Sequence, residues 1–226
     1  MKKYIFGNWK ANKNISEVND WFKLISTHLR NIPSEKLKNV EIAVCPPFIY
    51  LPFAKEQIEK LQLPLKLCAQ DVSPFTNGAF TGEVSAKQLS EFVDYILIGH
   101  SERRTYFKED QDLLSQKVSQ TIGVGLKPIL CIPDEKTPVV EKVDIVAYEP
   151  VWAIGTGKAD TPENANSVAL RIKNKNYIST LIYGGSVKPD NIKSFLTTTG
   201  IDGVLPGGAS LNPQSFFEMV VNAVSI

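Results

Sequence analysis

Short apolar runs alternate along the chain with polar or amphipathic stretches, and this alternation predicts the fold before any single residue is considered. Eight runs read as strands: Tyr4 to Trp9, Val40 to Cys45, Leu65 to Gln70, Tyr95 to His100, Lys127 to Ile132, Asp144 to Tyr148, Thr180 to Tyr183 and Gly203 to Pro206. Spread over 226 residues they recur about every 28, the size of one strand-helix unit, which predicts a closed parallel α/β barrel. Between the strands, a helix from about Ser16, with Ser16 as its N-cap, places Val18, Trp21, Phe22 and Ile25 on one face. Another helix carries Phe53, Ile58 and Leu61, and Thr161-Pro162 starts one running toward Lys175. Phe216, Phe217, Val220 and Val221 mark the closing helix. The pattern thins between Pro133 and Val143, where Pro138 interrupts a stretch too short for an average helix. A shortened or absent helix between strands five and six is therefore expected, with the apolar strand surface there thinly covered.

Composition adds bounds. One domain spanning 1–226 fits the length of a barrel, and the 43% hydrophobic content is ordinary for a globular chain. No apolar run approaches the roughly 18 residues of a membrane span, and Met1-Lys2-Lys3 leads directly into a strand rather than a signal segment, so a cytoplasmic protein is expected. With Lys+Arg 25 against Asp+Glu 24, nothing global points to nucleic acid or a membrane as partner. Cys45, Cys68 and Cys131 are widely spaced and each lies near the end of an apolar run, which fits reduced core thiols. His28 and His100 add no metal spacing.

Candidate chemistry gathers where strands end. In a parallel barrel the C-terminal ends of all strands share one face, so Lys10, His100, Glu149, Ser186 and the pair Gly207-Gly208 converge from across the sequence. Glu149 is read as the last residue of strand six, with Pro150 ending the pairing. After it, Val151 to Ile154 are too apolar for a solvated turn, and Gly155-Thr156-Gly157 supplies free backbone: a lid over a carboxylate, although a buried hairpin or a plain strand-to-helix loop fits the same stretch. Glycine pairs after strands seven and eight let backbone N–H groups approach a phosphate, helped by a following helix N-terminus. Taken singly, His100 also fits a core histidine, Lys10 a solvated charge, and Glu102 with Arg103 and Arg104 surface ion pairing. The loop from Asp71 to Glu83 is long and carries Phe75 and Phe80, which suggests a protruding contact loop.

Several motifs also carry a family resemblance. Gly7-Asn8-Trp9-Lys10, Ile98-Gly99-His100-Ser101-Glu102-Arg103-Arg104, Tyr148 to Lys158, Tyr183-Gly184-Gly185-Ser186-Val187 and Gly207-Gly208-Ala209-Ser210-Leu211 resemble triosephosphate isomerases, in order and over nearly the whole chain. The resemblance implies a (β/α)8 TIM barrel. It also implies interconversion of dihydroxyacetone phosphate and glyceraldehyde 3-phosphate in glycolysis and gluconeogenesis, with no cofactor and no metal. By the same resemblance Glu149 is the base, His100 polarises the carbonyl, and Lys10 and Asn8 support the enediolate. That His100 acts as a neutral ring comes with the family and not from these residues. Gly155, Ser186, Gly207 and Gly208 fall on phosphate-gripping positions, Ile154 and Leu205 on the apolar pair that closes over the base, and Glu102 on a supporting position. The partner implied is a second copy of the chain, in which Phe75 and Thr81 make contact and Thr81 approaches Asn8 of the partner subunit.

The chain departs from the family at Cys131-Ile132-Pro133-Asp134, where Cys-Ile-Gly-Glu is usual, and at Pro206, where a small residue with a backbone donor is common. Two other readings compete. A catalytically silent phosphate-binding barrel is opposed by the intact Lys10, His100 and Glu149. A Schiff-base aldolase needs a buried lysine at a strand's catalytic end, and Lys66 and Lys127 lie at strand middles or starts.

Overall fold

The computed structural model of the chain describes residues 2–153 and 159–226. Its strands are β1 (Lys3–Asn8), β2 (Val40–Cys45), β3 (Lys66–Ala69), β4 (Tyr95–Ile98), β5 (Lys127–Ile132), β6 (Ile145–Tyr148), β7 (Thr180–Tyr183) and β8 (Gly203–Val204). Each pairs in parallel with the next, and β8 returns to β1, closing an eight-stranded barrel. Around it run α1 (Ile15–Leu29), α2 (Ser34–Leu37), α3 (Leu51–Leu61), α4 (Ala86–Leu89), α5 (Ser101–Tyr106), α6 (Gln111–Gly123), α7 (Pro162–Asn176), α8 (Ile192–Leu196) and α9 (Pro213–Val224).

Side chains alternate along each strand between two apolar layers. Phe6, Ala43, Cys45, Cys68, Leu97, Ile129, Cys131, Ile145, Ala147 and Ile182 fill the barrel interior. Their neighbours, among them Ile5, Ile42, Val44, Ile96, Ile98, Leu130 and Val146, belong to the larger core shared with the helices. This two-residue period also positions the site. On β6 the inward set Ile145 and Ala147 continues to Glu149, which therefore faces into the barrel mouth. On β4 the same period, running through Tyr95 and Leu97, would send His100 outward. Gly99 takes a left-handed φ of +70°, accessible to glycine at little cost, and re-aims the chain so that His100 turns back over the mouth.

Several expected boundaries shift. The first helix is capped by Asn14 rather than Ser16: its side chain accepts from the Glu17 N–H while Glu17 returns a bond to the Asn14 N–H, a reciprocal capping box that leaves Ser16 inside the helix. β6 ends at Tyr148 and Glu149 stands one residue beyond it, although the Glu149 N–H still bonds the Ile132 carbonyl at 2.8 Å. β1, β4 and β8 likewise stop short of Trp9, His100 and Pro206: His100 turns to the cavity, whereas Trp9 packs outward against Trp21 and Phe22. On α3 the buried face is Leu51, Ala54 and Gln57, with Phe53, Ile58 and Leu61 only half-buried beside it. Thr161 caps α7 with Pro162 in its first turn, as the sequence predicts.

No helix forms between β5 and β6 among the described residues. A turn takes its place, held by Asp134, whose carboxylate accepts from the Lys136 and Thr137 backbone N–H groups and the Thr137 hydroxyl. The expectation of thin cover there fails. Leu130, Ile132 and Val146 are at most 1% exposed, because Val143 is buried and Val139 and Val140 pack into the core from the extended segment. Arg171 of α7 pairs with Glu135 and draws that helix over the same wall.

Candidate active site

Strand ends bring Asn8, Lys10, His100, Glu149, Ser186, Leu205, Gly207 and Gly208 around one cavity of about 210 Å³ at the barrel mouth. Glu102 stands beside it, bonded to Lys10. Ile154 and Gly155 lie outside the described residues. Phe75 and Thr81 lie away from the cavity on the loop after β3, where the Phe75 and Phe80 rings stack at 4.3 Å and remain 42% and 40% exposed.

Glu149 is 1% exposed. Its Oε2 accepts from the Ser101 N–H at 3.0 Å, whereas Oε1 is buried without a hydrogen bond, 3.3 Å from His100 Nε2 but out of line with it. Gly184 makes the room for this side chain, since a Cβ there would lie 2.7 Å from Glu149 Cγ. Behind Glu149 the Cys131 thiol is fully buried. Burial first, then the adjacent Glu149 carboxylate through its charge and a hydrogen bond, push its pKa well above the usual thiol range, so the thiol remains protonated.

His100 is the N-cap of α5, and its Nδ1 accepts from the Glu102 N–H at 3.2 Å. A ring nitrogen that accepts carries no proton, so the proton sits on Nε2, facing the cavity and Glu149. Lys10 adopts a left-handed φ of +53°, which costs a non-glycine residue roughly 1 to 2 kcal/mol. Bonds on both sides of the residue hold it there: its N–H donates to Asn8 Oδ1 at 3.0 Å, and its carbonyl accepts from Gln70 Nε2 at 2.9 Å. Asn8 is in turn fixed by its N–H to the Pro206 carbonyl at 2.9 Å, so the unusual Pro206 contributes an acceptor where no donor is available.

On the opposite rim Ser186 donates its hydroxyl to the Ala153 carbonyl at 2.7 Å, tying the loop after β7 to the segment that follows Glu149. The expected helix N-terminus directly after each glycine pair does not form among the described residues. Gly208 opens a single 3-10 turn to Ser210, whereas α8 begins six residues after Ser186. Lys188 also lines the cavity, and the sequence reading missed it although a basic residue two positions after Ser186 was legible. Ser101 and Gln70 were missed too, because a backbone N–H and a long-range amide leave no local signal.

Arg103 and Arg104 form no mere surface pairing. Arg103 Nη2 meets Asp71 Oδ2 at 2.7 Å and its Nε meets Glu109 Oε1 at 2.7 Å, in a cluster closed by buried Lys117, while Arg104 turns inward to backbone carbonyls. The lysines of an aldolase reading are accounted for elsewhere. Lys66 pairs with Asp94 at the opposite end of its strand, Lys127 is exposed at the start of β5, and Lys117 sits on α6 outside the barrel.

The sequence model of the triosephosphate isomerase family matches residues 3–142 and 136–223, which together span nearly the whole chain. The chain belongs to the triosephosphate isomerase family. A triosephosphate isomerase of Fusobacterium nucleatum is 41% identical over 96% of this chain and 96% of its own. Those of Mesomycoplasma hyopneumoniae and Dehalococcoides mccartyi are 37% and 38% identical, over 99% and 98% of this chain and 100% and 96% of their own lengths. Family membership agrees with the barrel closure and with the order of the motifs along the chain.

Proposed function

We propose that the chain interconverts dihydroxyacetone phosphate and D-glyceraldehyde 3-phosphate as an isomerase of glycolysis and gluconeogenesis in the cytoplasm, and that Glu149 is its base. The observation that carries the assignment is a desolvated carboxylate, 1% exposed, with one oxygen that accepts no hydrogen bond and an imidazole nitrogen 3.3 Å away. In the forward direction Glu149 takes a proton from C1 of the ketose, the electron pair forms the C1–C2 double bond, and the C2 oxygen becomes anionic. His100 Nε2 then gives its proton to the C2 oxygen and takes one from the C1 hydroxyl, which moves the charge to the C1 oxygen. As that oxygen forms the C1 carbonyl, Glu149 returns its proton to C2 and the aldose results. His100, protonated on Nε2, polarises the carbonyl, and Lys10 with Asn8 stabilises the charge that grows on oxygen, where electrostatics lowers a barrier most. Glu102 orients Lys10 through their ion pair. Ser186, Gly207 and Gly208, with Gly155, hold the phosphate, and Ile154 and Leu205 close over the base.

A single domain spanning 1–226 and a homodimer complete the proposal. In support, the loop after β3 presents two stacked, part-exposed aromatic rings at its tip. There Phe75 makes contact and Thr81 approaches Asn8 of the partner subunit, and a two-fold pair buries this patch twice. A coupled assay of triose phosphate isomerisation in both directions tests the activity. Turnover without added metal or cofactor is expected, and a folded chain that binds triose phosphate without converting it overturns the reading.

A further inference from the structure

β4 and β5 are laddered from Tyr95 and Lys127 to Ile98 and Leu130, and there the pairing stops. Gly99 turns away to deliver His100, while β5 continues to Ile132, whose carbonyl holds the Glu149 N–H. The seam between these strand ends is bridged by Arg104. Its Nε donates to the Gly99 carbonyl and its Nη2 to the Cys131 carbonyl, each at 2.8 Å. A guanidinium is a rigid planar fork, so two such bonds fix a spacing as well as an attachment. Both acceptors are neutral, and among the described residues no hydrogen bond of Arg104 goes to a carboxylate, in contrast to Arg103 with Asp71 and Glu109.

We propose, resting on the reading of Glu149 as base, that Arg104 is a positioning residue for the isomerisation: its fork sets the strand ends that carry His100 and Glu149, and it brings to that seam a positive charge with no carboxylate partner among the described residues. The other charged or titratable groups around Glu149 do not supply that charge. His100 faces it from the end of β4 with a ring that accepts at Nδ1 and is therefore neutral, and Cys131 faces it from β5 as a protonated thiol. Lys10, after β1, is already paired with Glu102 of α5. Lys188, after β7, is exposed on the rim and screened by solvent, and β8 contributes only apolar Leu205 to this wall. Burial lowers the pKa of Arg104 from the usual guanidinium range while Cys131, Glu149 and Glu109 oppose the shift, which fits a cation whose field reaches the base.

The test compares wild type with Arg104→Met, Arg104→Gln and Arg104→Lys by kcat, KM, the pH dependence of kcat/KM and thermal unfolding. Arg104→Met is expected to lose about 10- to 100-fold in kcat, with KM within about 3-fold, because ground-state contacts to the phosphate are elsewhere. Its acid limb should move up by about one pH unit, since an opposite charge nearby favours the ionised carboxylate. Arg104→Gln retains an amide toward the carbonyls but no charge, and guards against a Met variant that does not fold; its limb should move likewise. Arg104→Lys keeps the charge without the fork, and should hold the limb while losing part of kcat. A purely structural residue would lower the unfolding temperature and leave the limb in place. An unmoved limb in a folded Met or Gln variant overturns the proposal. Wild type in the same assay separates the two readings: if it isomerises and the limb is unmoved, only the role of Arg104 falls, and if it does not isomerise, both fall.

Discussion

Replacing Gly184 with alanine adds one methyl group to the wall against which Glu149 lies, and the geometry fixes the size of the conflict. The new Cβ would stand 2.7 Å from Glu149 Cγ and 3.3 Å from the Tyr148 carbonyl oxygen. Tyr148 is held in the ladders on both sides of β6, so the Glu149 side chain must give way, by about 0.7 Å to reach the 3.4 Å at which ordinary contact begins. Misplacement by ~1 Å costs on the order of 10²-fold, so kcat should fall about 10- to 100-fold, or roughly 1.4 to 2.7 kcal/mol of barrier. KM should change less than kcat, because the new methyl group meets Glu149, while Ser186, Gly207 and Gly208 keep their own side chains. Overpacking should also cost about 1 to 3 kcal/mol of stability. The assay is steady-state turnover in both directions, with urea unfolding to correct for the folded fraction. A folded Gly184→Ala enzyme with wild-type kcat and kcat/KM would refute the claim that the position of Glu149 limits the reaction.

Phe75→Asp breaks the stacked ring pair at the tip of the loop after β3 and places a charge in the proposed interface. Sedimentation should show a monomer with strongly reduced turnover, and a fully active monomer at assay concentration would sink the dimer proposal. Glu41 governs part of the acid sensitivity: burial raises its pKa, but hydrogen bonds from Lys2 and Tyr95 outweigh this, so the folded value lies below the ordinary 4.5. Its stabilising contribution is therefore present above the unfolded pKa and lost as pH falls through the folded value. Glu41→Gln should flatten that part of the stability-against-pH curve, and equal slopes for wild type and variant in urea unfolding would contradict the assignment.

What the sequence revealed depended on whether the signal was local. β2, β5 and β7 are bounded by Pro, Lys or Gly and match their expected ends, whereas β4 and β8 end early, β4 because Gly99 turns the chain at a left-handed φ. α6 escaped notice although its buried positions Leu114, Lys117, Val118 and Thr121 keep helical spacing, since two of the four are polar and the apolar stripe is broken. Lys117 is polar there because it answers Asp71 and Glu109, partners that only the folded chain brings together. In the site, Glu149, His100 and Lys10 were legible from residue type at strand ends. The space left by Gly184 and the inward turn of Arg104 depend on contacts between residues distant in sequence, and no spacing records them.

The central claim is that Glu149 is a positioned base and not a structural acid. Glu149→Gln should lose the 10²- to 10⁴-fold that general bases contribute. The sharper measurement is the turnover of Glu149→Asp, which keeps the charge and withdraws the carboxylate by one methylene, beside wild type with both shown to be folded. The account predicts a loss on the order of 10²-fold in both directions with affinity for a phosphate-bearing enediolate mimic largely retained. Near-normal turnover in a folded Glu149→Asp enzyme would contradict it.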